Sequence, residues 1–172
     1  RPCLDSAIGL GGCRNMNFCQ GPDPDTKTPS FVAPPNACDA HCHVFGPAKK
    51  FPFAEGRTYT PPDSPFESLQ KLQGVLGLER AVIVQATCHS TDNSATLDAI
   101  ARSNGRYRGV AIVDDSFSER DFENLHAGGI RGVRFSYARH IGGAPDFSQV
   151  KRVAAKIAPL GWHVVLYLEA ED

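Results

Sequence analysis

Strand-like and helix-like segments alternate along residues 37–168, and that alternation leaves the chain few architectures. Ala81-Val82-Ile83-Val84 and Gly109-Val110-Ala111-Ile112-Val113 are apolar at consecutive positions rather than alternate ones. Strands of that kind are covered on both faces, the condition of a parallel sheet flanked by helices. Strands are expected over residues 37–44, 80–85, 107–113, 130–135 and 163–168. Helices are expected over 64–77, 91–103, 118–126 and 147–158. In the first helix Phe66, Leu69, Leu72, Val75 and Leu76 keep helical spacing up to Gly77, with Ser64 as the expected N-cap and Pro65 in the first turn.

Two segments lie outside this pattern. Gly11-Gly12, Pro22, Pro24, Pro29, Pro34 and Pro35 break up residues 1–36, which read as a leader, loop or disordered. Residues 45–63 form a loop rich in Pro, Gly and aromatics; inside a compact domain such a loop is functional or disordered. Residues 37–172 read as the folded unit.

Two parallel designs compete. A doubly wound dinucleotide-binding sheet advertises a Gly-rich phosphate loop after its first strand, and no G-x-G-x-x-G follows residues 37–44. A TIM-type (β/α)8 barrel puts its chemistry at the C-terminal strand ends, where the polar clusters of this chain fall. The barrel is the expected fold. It takes about 250 residues, so the chain is expected to be its N-terminal part, truncated after about the fifth strand.

Composition narrows the function. The 172 residues are 41% hydrophobic and 22% charged, enough for one core, and carry a formal net charge of -1. Such a balance offers no field for nucleic acid or an anionic membrane. No apolar run reaches the ~18–20 residues of a membrane span, and residues 1–20 lack a signal-peptide core. A soluble, cytoplasmic protein is expected. Cys3, Cys13, Cys19, Cys38, Cys42 and Cys88 are scattered, and reduced thiols are expected. Met16 is the only methionine, so residues 1–15 read as upstream translation or a cloning remnant. The break after Glu169-Ala170-Glu171-Asp172 reads as truncation.

Asp39-Ala40-His41-Cys42-His43 is the segment richest in chemistry. Side chains alternate along a strand, so Asp39, His41 and His43 are expected on one face. Two imidazoles and a carboxylate at a barrel mouth can bind a divalent metal such as zinc or hold a substrate oxygen; a structural histidine pair is the plain alternative. A structural zinc site from Cys38, His41, Cys42 and His43 is disfavoured, because one strand cannot wrap four ligands around an ion. After residues 80–85, Thr87 or His89 is a candidate donor to substrate, and Ser90 or Thr91 a candidate helix cap. Cys88 has no acid–base partner in sequence. Arg134 lies deep in an apolar strand with Arg139 and His140 beyond it. Buried guanidinium groups call for an anion, bidentate carboxylate above all; a surface pair with Asp114 or Asp115 is the alternative. Tyr59 and Tyr167 can line a mouth or merely pack.

These residues also carry a resemblance. Asp39-Ala40-His41-Cys42-His43-Val44-Phe45-Gly46-Pro47, Val82-Ile83-Val84-Gln85-Ala86, Asp92-Asn93, Leu97-Asp98-Ala99-Ile100-Ala101-Arg102, Arg131-Gly132-Val133-Arg134-Phe135 and Gly161-Trp162-His163-Val164-Val165 occur in order. From about Pro34 to the end, the chain resembles the 2-pyrone-4,6-dicarboxylate hydrolases of the amidohydrolase superfamily. The resemblance implies a metal-dependent-hydrolase-like barrel that opens an anionic lactone to an open-chain tricarboxylic acid, in bacterial breakdown of lignin-derived aromatics, with no required metal or other cofactor. It implies that His41 and His43 hold the scissile carbonyl region as catalytic residues. It makes Tyr59, Thr87, Arg134 and Tyr167 substrate contacts, with Thr87 in place of a serine. A second family arginine falls at His140, beside Arg139. The family's catalytic aspartate, at the end of the eighth strand, lies beyond Asp172, as do another histidine and further arginines. The expected partner is a small dicarboxylate lactone. A metal-dependent amidohydrolase or decarboxylase, and a non-catalytic fragment that folds only with a partner, are the alternatives.

Overall fold

The computed structural model describes residues 17–138, 141 and 146–168, except the side chain of Asn17. The elements run β1 (Asn17–Phe18), β2 (Cys38–Cys42), β3 (Tyr59–Thr60), α1 (Phe66–Leu76), β4 (Arg80–Val84), α2 (Ser94–Arg102), β5 (Tyr107–Ala111), α3 (Glu119–Ala127), β6 (Ile130–Ser136), α4 (Phe147–Ile157) and β7 (His163–Tyr167). A five-stranded sheet has the order β2-β4-β5-β6-β7, with every pairing parallel. Spatial order equals chain order, so each crossover lands on the next strand. A doubly wound sheet would reverse direction; this one advances continuously, as the wall of a (β/α)8 barrel does.

The core lies between the sheet and its helices. Ala81, Ile83, Ala111, Ile130, Val133 and Phe135 meet Ile100, Phe122, Val153 and Ile157 from the helices. Ile83, Ile130, Val133 and Val153 are completely covered, and each such side chain contributes roughly 1.5–3 kcal/mol of burial. Gly109 allows a close approach of sheet and helix: a Cβ there would come within 2.6 Å of Ile130 Cδ1 and 2.8 Å of Ile100 Cδ1.

Several expected boundaries move. Ser64 does not cap α1. Its N–H and C=O both pair with Phe45 in an isolated antiparallel bridge, and Pro65 occupies the cap position without a side-chain bond. The second helix starts at Ser94 rather than at residue 91, because Thr87–His89 form a 3-10 turn. Neither Ser90 nor Thr91 caps it; Asp92 Oδ1 accepts from Ser94 N–H at 3.0 Å. Within the leader, β1 pairs in parallel with β3, a contact with no periodicity to announce it.

Two bulges decide which residues face inward. Between Asp39 and Cys42, β2 advances three residues while β4 advances from Ala81 to Ile83. Asp39 and Cys42 therefore lie beside helix-side residues, and Cys42 packs against that core. His41 and His43 alternate with Cys42 and face the other way. The expectation that Asp39 shares their face is overturned, because a bulge resets alternation. Likewise β6 advances from Ile130 to Gly132 while β5 advances one residue. The extra residue, Arg131, turns to the carbonyls of His126 and Ile130. Gly132, Arg134 and Ser136 are left on the inner face.

Cys19, Cys38, Cys42 and Cys88 are free thiols; Cys3 and Cys13 lie outside the described residues. Among the described residues, no helix is long and apolar enough to cross a membrane.

Candidate functional site

The inner face and the C-terminal rim of the sheet collect most of the expected site residues. His41 and His43 stand edge to face, with ring centroids 5.2 Å apart. His43 Nδ1 lies 2.7 Å from Val84 O. A carbonyl only accepts, so Nδ1 carries the hydrogen and Nε2 presents a lone pair. Burial, helped by the charges of His41 and Arg134, pushes the His43 pKa below its ordinary 6.5, against the Val84 bond and the Asp39 charge, which raise it. His43 is thus neutral at pH 7, with Nε2 available as an acceptor. His41 is exposed. The one ring hydrogen of neutral His43 is taken by Val84 O, so this imidazole has no N–H left to donate.

Arg134 rises from the middle of β6 and is only 7% exposed. Its guanidinium carbon lies 5.1 Å from the centroid of the Tyr167 ring, a cation–π distance. Among the described residues no carboxylate pairs with it, and Arg134 Nε is buried without a hydrogen-bond partner. Asp115, a partner considered from sequence, binds Arg152 instead, with 2.7 Å between Nη2 and Oδ2. Ser136, two residues on and on the same face, also has a buried side-chain oxygen without a partner. It escaped the sequence reading; its only signal was its i+2 spacing from Arg134.

The third group lies on the rim. Thr87 Oγ1 donates to Tyr59 Oη at 3.3 Å, which ties the first loop to the turn after β4. Burial raises the Tyr59 pKa, so the phenol stays protonated. A cavity of about 280 Å³ opens beside Thr87, with Ala54, Arg57, Thr58, Ser90, Ile112 and Ile141 in its wall. It adjoins Thr87 and does not extend over His41 and His43. His89, the other expected donor, is 2% exposed, and both its ring nitrogens are engaged by the backbone. It has nothing left to offer a ligand. Arg139 and His140 lie outside the described residues.

The structure therefore brings together His41 with His43, Tyr59 with Thr87, and Arg134 with Tyr167. The Arg134 charge acts on His43, and Tyr59 and Tyr167 both act on Arg134, so the three pairs lie within one another's electrostatic reach. Among the described residues, no three His, Cys, Asp or Glu side chains converge as a metal-binding group. His41 and His43 supply two nitrogen donors, short of the three or four of a zinc site.

Comparison with known proteins agrees with this architecture. Residues 38–171 match the family model described as amidohydrolase. The chain is 48% identical over 144 residues to a 2-pyrone-4,6-dicarboxylate hydrolase of Comamonas testosteroni, covering 84% of this chain and 47% of that protein. It is 41% identical over 150 residues to a 4-sulfomuconolactone hydrolase of Hydrogenophaga intermedia, covering 87% of this chain and 50% of that one. A crystal structure of a probable 2-pyrone-4,6-dicarboxylic acid hydrolase from Acinetobacter baumannii, with citric acid bound, superposes with a TM-score of 0.70 at 26% identity, covering 79% of this chain and 51% of that one. The chain spans about half the length of the curated relatives it matches. In sequence and in the order of its strands, it belongs to the amidohydrolase family.

Proposed function

We propose that the whole protein hydrolyses the ring ester of a small anionic lactone of the 2-pyrone-4,6-dicarboxylate class, and that this chain carries its carbonyl-binding and anion-binding side. One observation carries the reading: Arg134, buried on the inner face, has no carboxylate partner among the described residues. A buried cation of that kind is costly unless a ligand supplies the anion. The two named relatives, both hydrolases of anionic ring compounds by their names, support the same substrate class.

In this reading Arg134 and Ser136 receive a ring carboxylate. Tyr59 and Thr87 orient the ring from the rim, and Tyr167 backs the guanidinium. Arg139 and His140 follow as further carboxylate contacts. Water adds to the lactone carbonyl and the ring C–O bond breaks. The ring oxygen leaves with a proton and a new carboxylate remains. His41 donates to the oxygen on which charge develops, while His43 Nε2 accepts a hydrogen bond from the water or the substrate. No step is routed through a metal or other cofactor. The scatter of the six cysteines along the chain supports a reducing compartment, which we take to be the cytoplasm.

Calorimetric titration of the 172-residue chain with 2-pyrone-4,6-dicarboxylate tests the anion site; equal affinity for an uncharged 2-pyrone would end that reading. Loss of ultraviolet absorbance by the same compound, incubated with the whole protein, tests the reaction. A second reading is favoured by the lone pair at His43 Nε2: a divalent metal held by His41 and His43. Activity abolished by a chelator and restored by zinc would establish it over the metal-free reaction.

A further inference from the structure

We propose that His89 is a positioning residue: it staples the loop 45–64 to the turn after β4 and so holds Tyr59 against Thr87. The inference uses the placement of Tyr59 and Thr87 in the site and is independent of which substrate the site takes.

The imidazole joins two points of the loop. Gly46 N–H donates to His89 Nε2 at 3.2 Å, and His89 Nδ1 lies 3.2 Å from Pro52 O. Pro52 O can only accept, and Gly46 N–H can only donate. Nδ1 therefore carries the hydrogen and Nε2 the lone pair, and the neutral ring is saturated by backbone. The Phe53 ring packs on it with centroids 4.8 Å apart. A third tie runs beside it, Ala54 N–H to Cys88 O at 2.8 Å. The base of the loop is closed separately, where Phe45 and Ser64 pair.

Gly46 is shaped for this contact. Its φ is +66°, and a Cβ there would meet Asp63 Oδ1 at 2.3 Å and Ala48 N at 2.6 Å. Asp63 Oδ1 accepts from Ala48 N–H at 2.9 Å. That bond holds the turn, so the Gly46 N–H is directed at the imidazole.

The staple works only with a neutral ring. A second proton on His89 would fall on Nε2 and place it against the Gly46 N–H, two donors facing each other. The charged groups that bear on His89 are Asp63 in the loop and Asp92 on its own turn, and both favour the imidazolium. Burial outweighs them and the Pro52 bond, and holds the ring below its ordinary 6.5. As pH falls below that value, proton uptake is to be met by release of the loop.

The test is pH-dependent hydrogen exchange of the Gly46 amide in the 172-residue chain, with β5 amides as a reference for the global fold. For the unaltered chain, Gly46 protection, corrected for intrinsic exchange, is expected to fall about tenfold or more between about pH 7 and about pH 5 while β5 stays protected. In His89→Gln, whose side-chain carbonyl can take the Nε2 position but does not titrate, protection is expected to persist unchanged across that range. In His89→Phe it is expected to be lost at every pH with β5 intact. If His89→Phe unfolds outright, the Gln variant and the nitrogen-15 signals of the ring in the unaltered chain decide. A hydrogen on Nε2 at neutral pH, a Gly46 amide indifferent to acid, or the same acid loss in His89→Gln would each overturn the proposal.

Discussion

The guanidinium carbon of Arg134 sits 5.1 Å from the centroid of the Tyr167 ring, across the β6–β7 pair, and its Nε binds nothing among the described residues. Register makes the pairing possible: Arg134 is opposite Val165 and Ser136 is opposite Tyr167, so the ring lies within reach along the inner face. A tyrosine face eases a buried cation by about 0.5–2 kcal/mol. That is less than the several kcal/mol that burying an ion costs. The arrangement is stable enough to exist and unsatisfied enough to bind.

Arg134→Met follows from that imbalance. Removal of a buried, uncompensated cation is expected to leave stability unchanged or raise it by about 1–4 kcal/mol. Affinity for 2-pyrone-4,6-dicarboxylate is expected to fall by about 2–5 kcal/mol, thirtyfold or more. Urea unfolding and calorimetric titration read the two effects separately. Arg134→Lys keeps the charge but loses the planar fork, and should recover only part of the affinity.

Ser136→Ala should show the same opposition in smaller measure. The hydroxyl is buried with no acceptor or donor beside it, so its loss is expected to be neutral or stabilising in the free chain. Binding of the dicarboxylate is expected to weaken by about 0.5–1.5 kcal/mol. A loss of stability with unchanged affinity would show that Ser136 merely packs.

His43 links the site to pH. Its folded-state pKa is depressed below 6.5, by burial first and then by neighbouring positive charge. Its contribution to stability is therefore complete above pH 6.5 and is lost as pH falls through the depressed folded value. A bound dianion reverses the local field and should move the His43 titration upward. Proton NMR of the ring with and without 2-pyrone-4,6-dicarboxylate measures the shift; a downward movement would place the anion away from His43.

Gln85→Leu probes the frame behind the rim. Gln85 is 1% exposed, and its amide is fully used. Nε2 donates to Ser90 O at 3.1 Å and Asp92 O at 2.7 Å, while Oε1 accepts from Thr96 Oγ1 at 2.7 Å. Leucine matches the volume and strands three polar partners. At about 1–3 kcal/mol for a buried group left unsatisfied, a loss of about 2–4 kcal/mol is expected in urea unfolding.

Much of the architecture was legible because local rules and tertiary outcome agree. Apolar residues at consecutive positions in β4 and β5 can be buried only between two layers, and helical spacing between the strands supplied one layer. Arg134 stood out because a guanidinium in an apolar strand has few stable neighbours. The inner-face cluster was therefore anticipated from His41, His43 and Arg134. His89 was misread, since a histidine after a strand looks the same whether it faces a ligand or two backbone groups of a distant loop.

The amino-acid order alone thus determined the alternation of strands and helices, the parallel sheet, and the chemical types gathered at its rim. Those properties depend on neighbours within a few residues, where backbone geometry and burial period act directly. Only the tertiary structure decided which face Asp39 takes, that Arg131 turns away while Arg134 turns in, which nitrogen of His43 is free, and that His89 holds a loop. Each of these depends on register between strands or on a hydrogen bond to a residue some forty positions away. A one-residue bulge or a remote carbonyl leaves no trace in local periodicity.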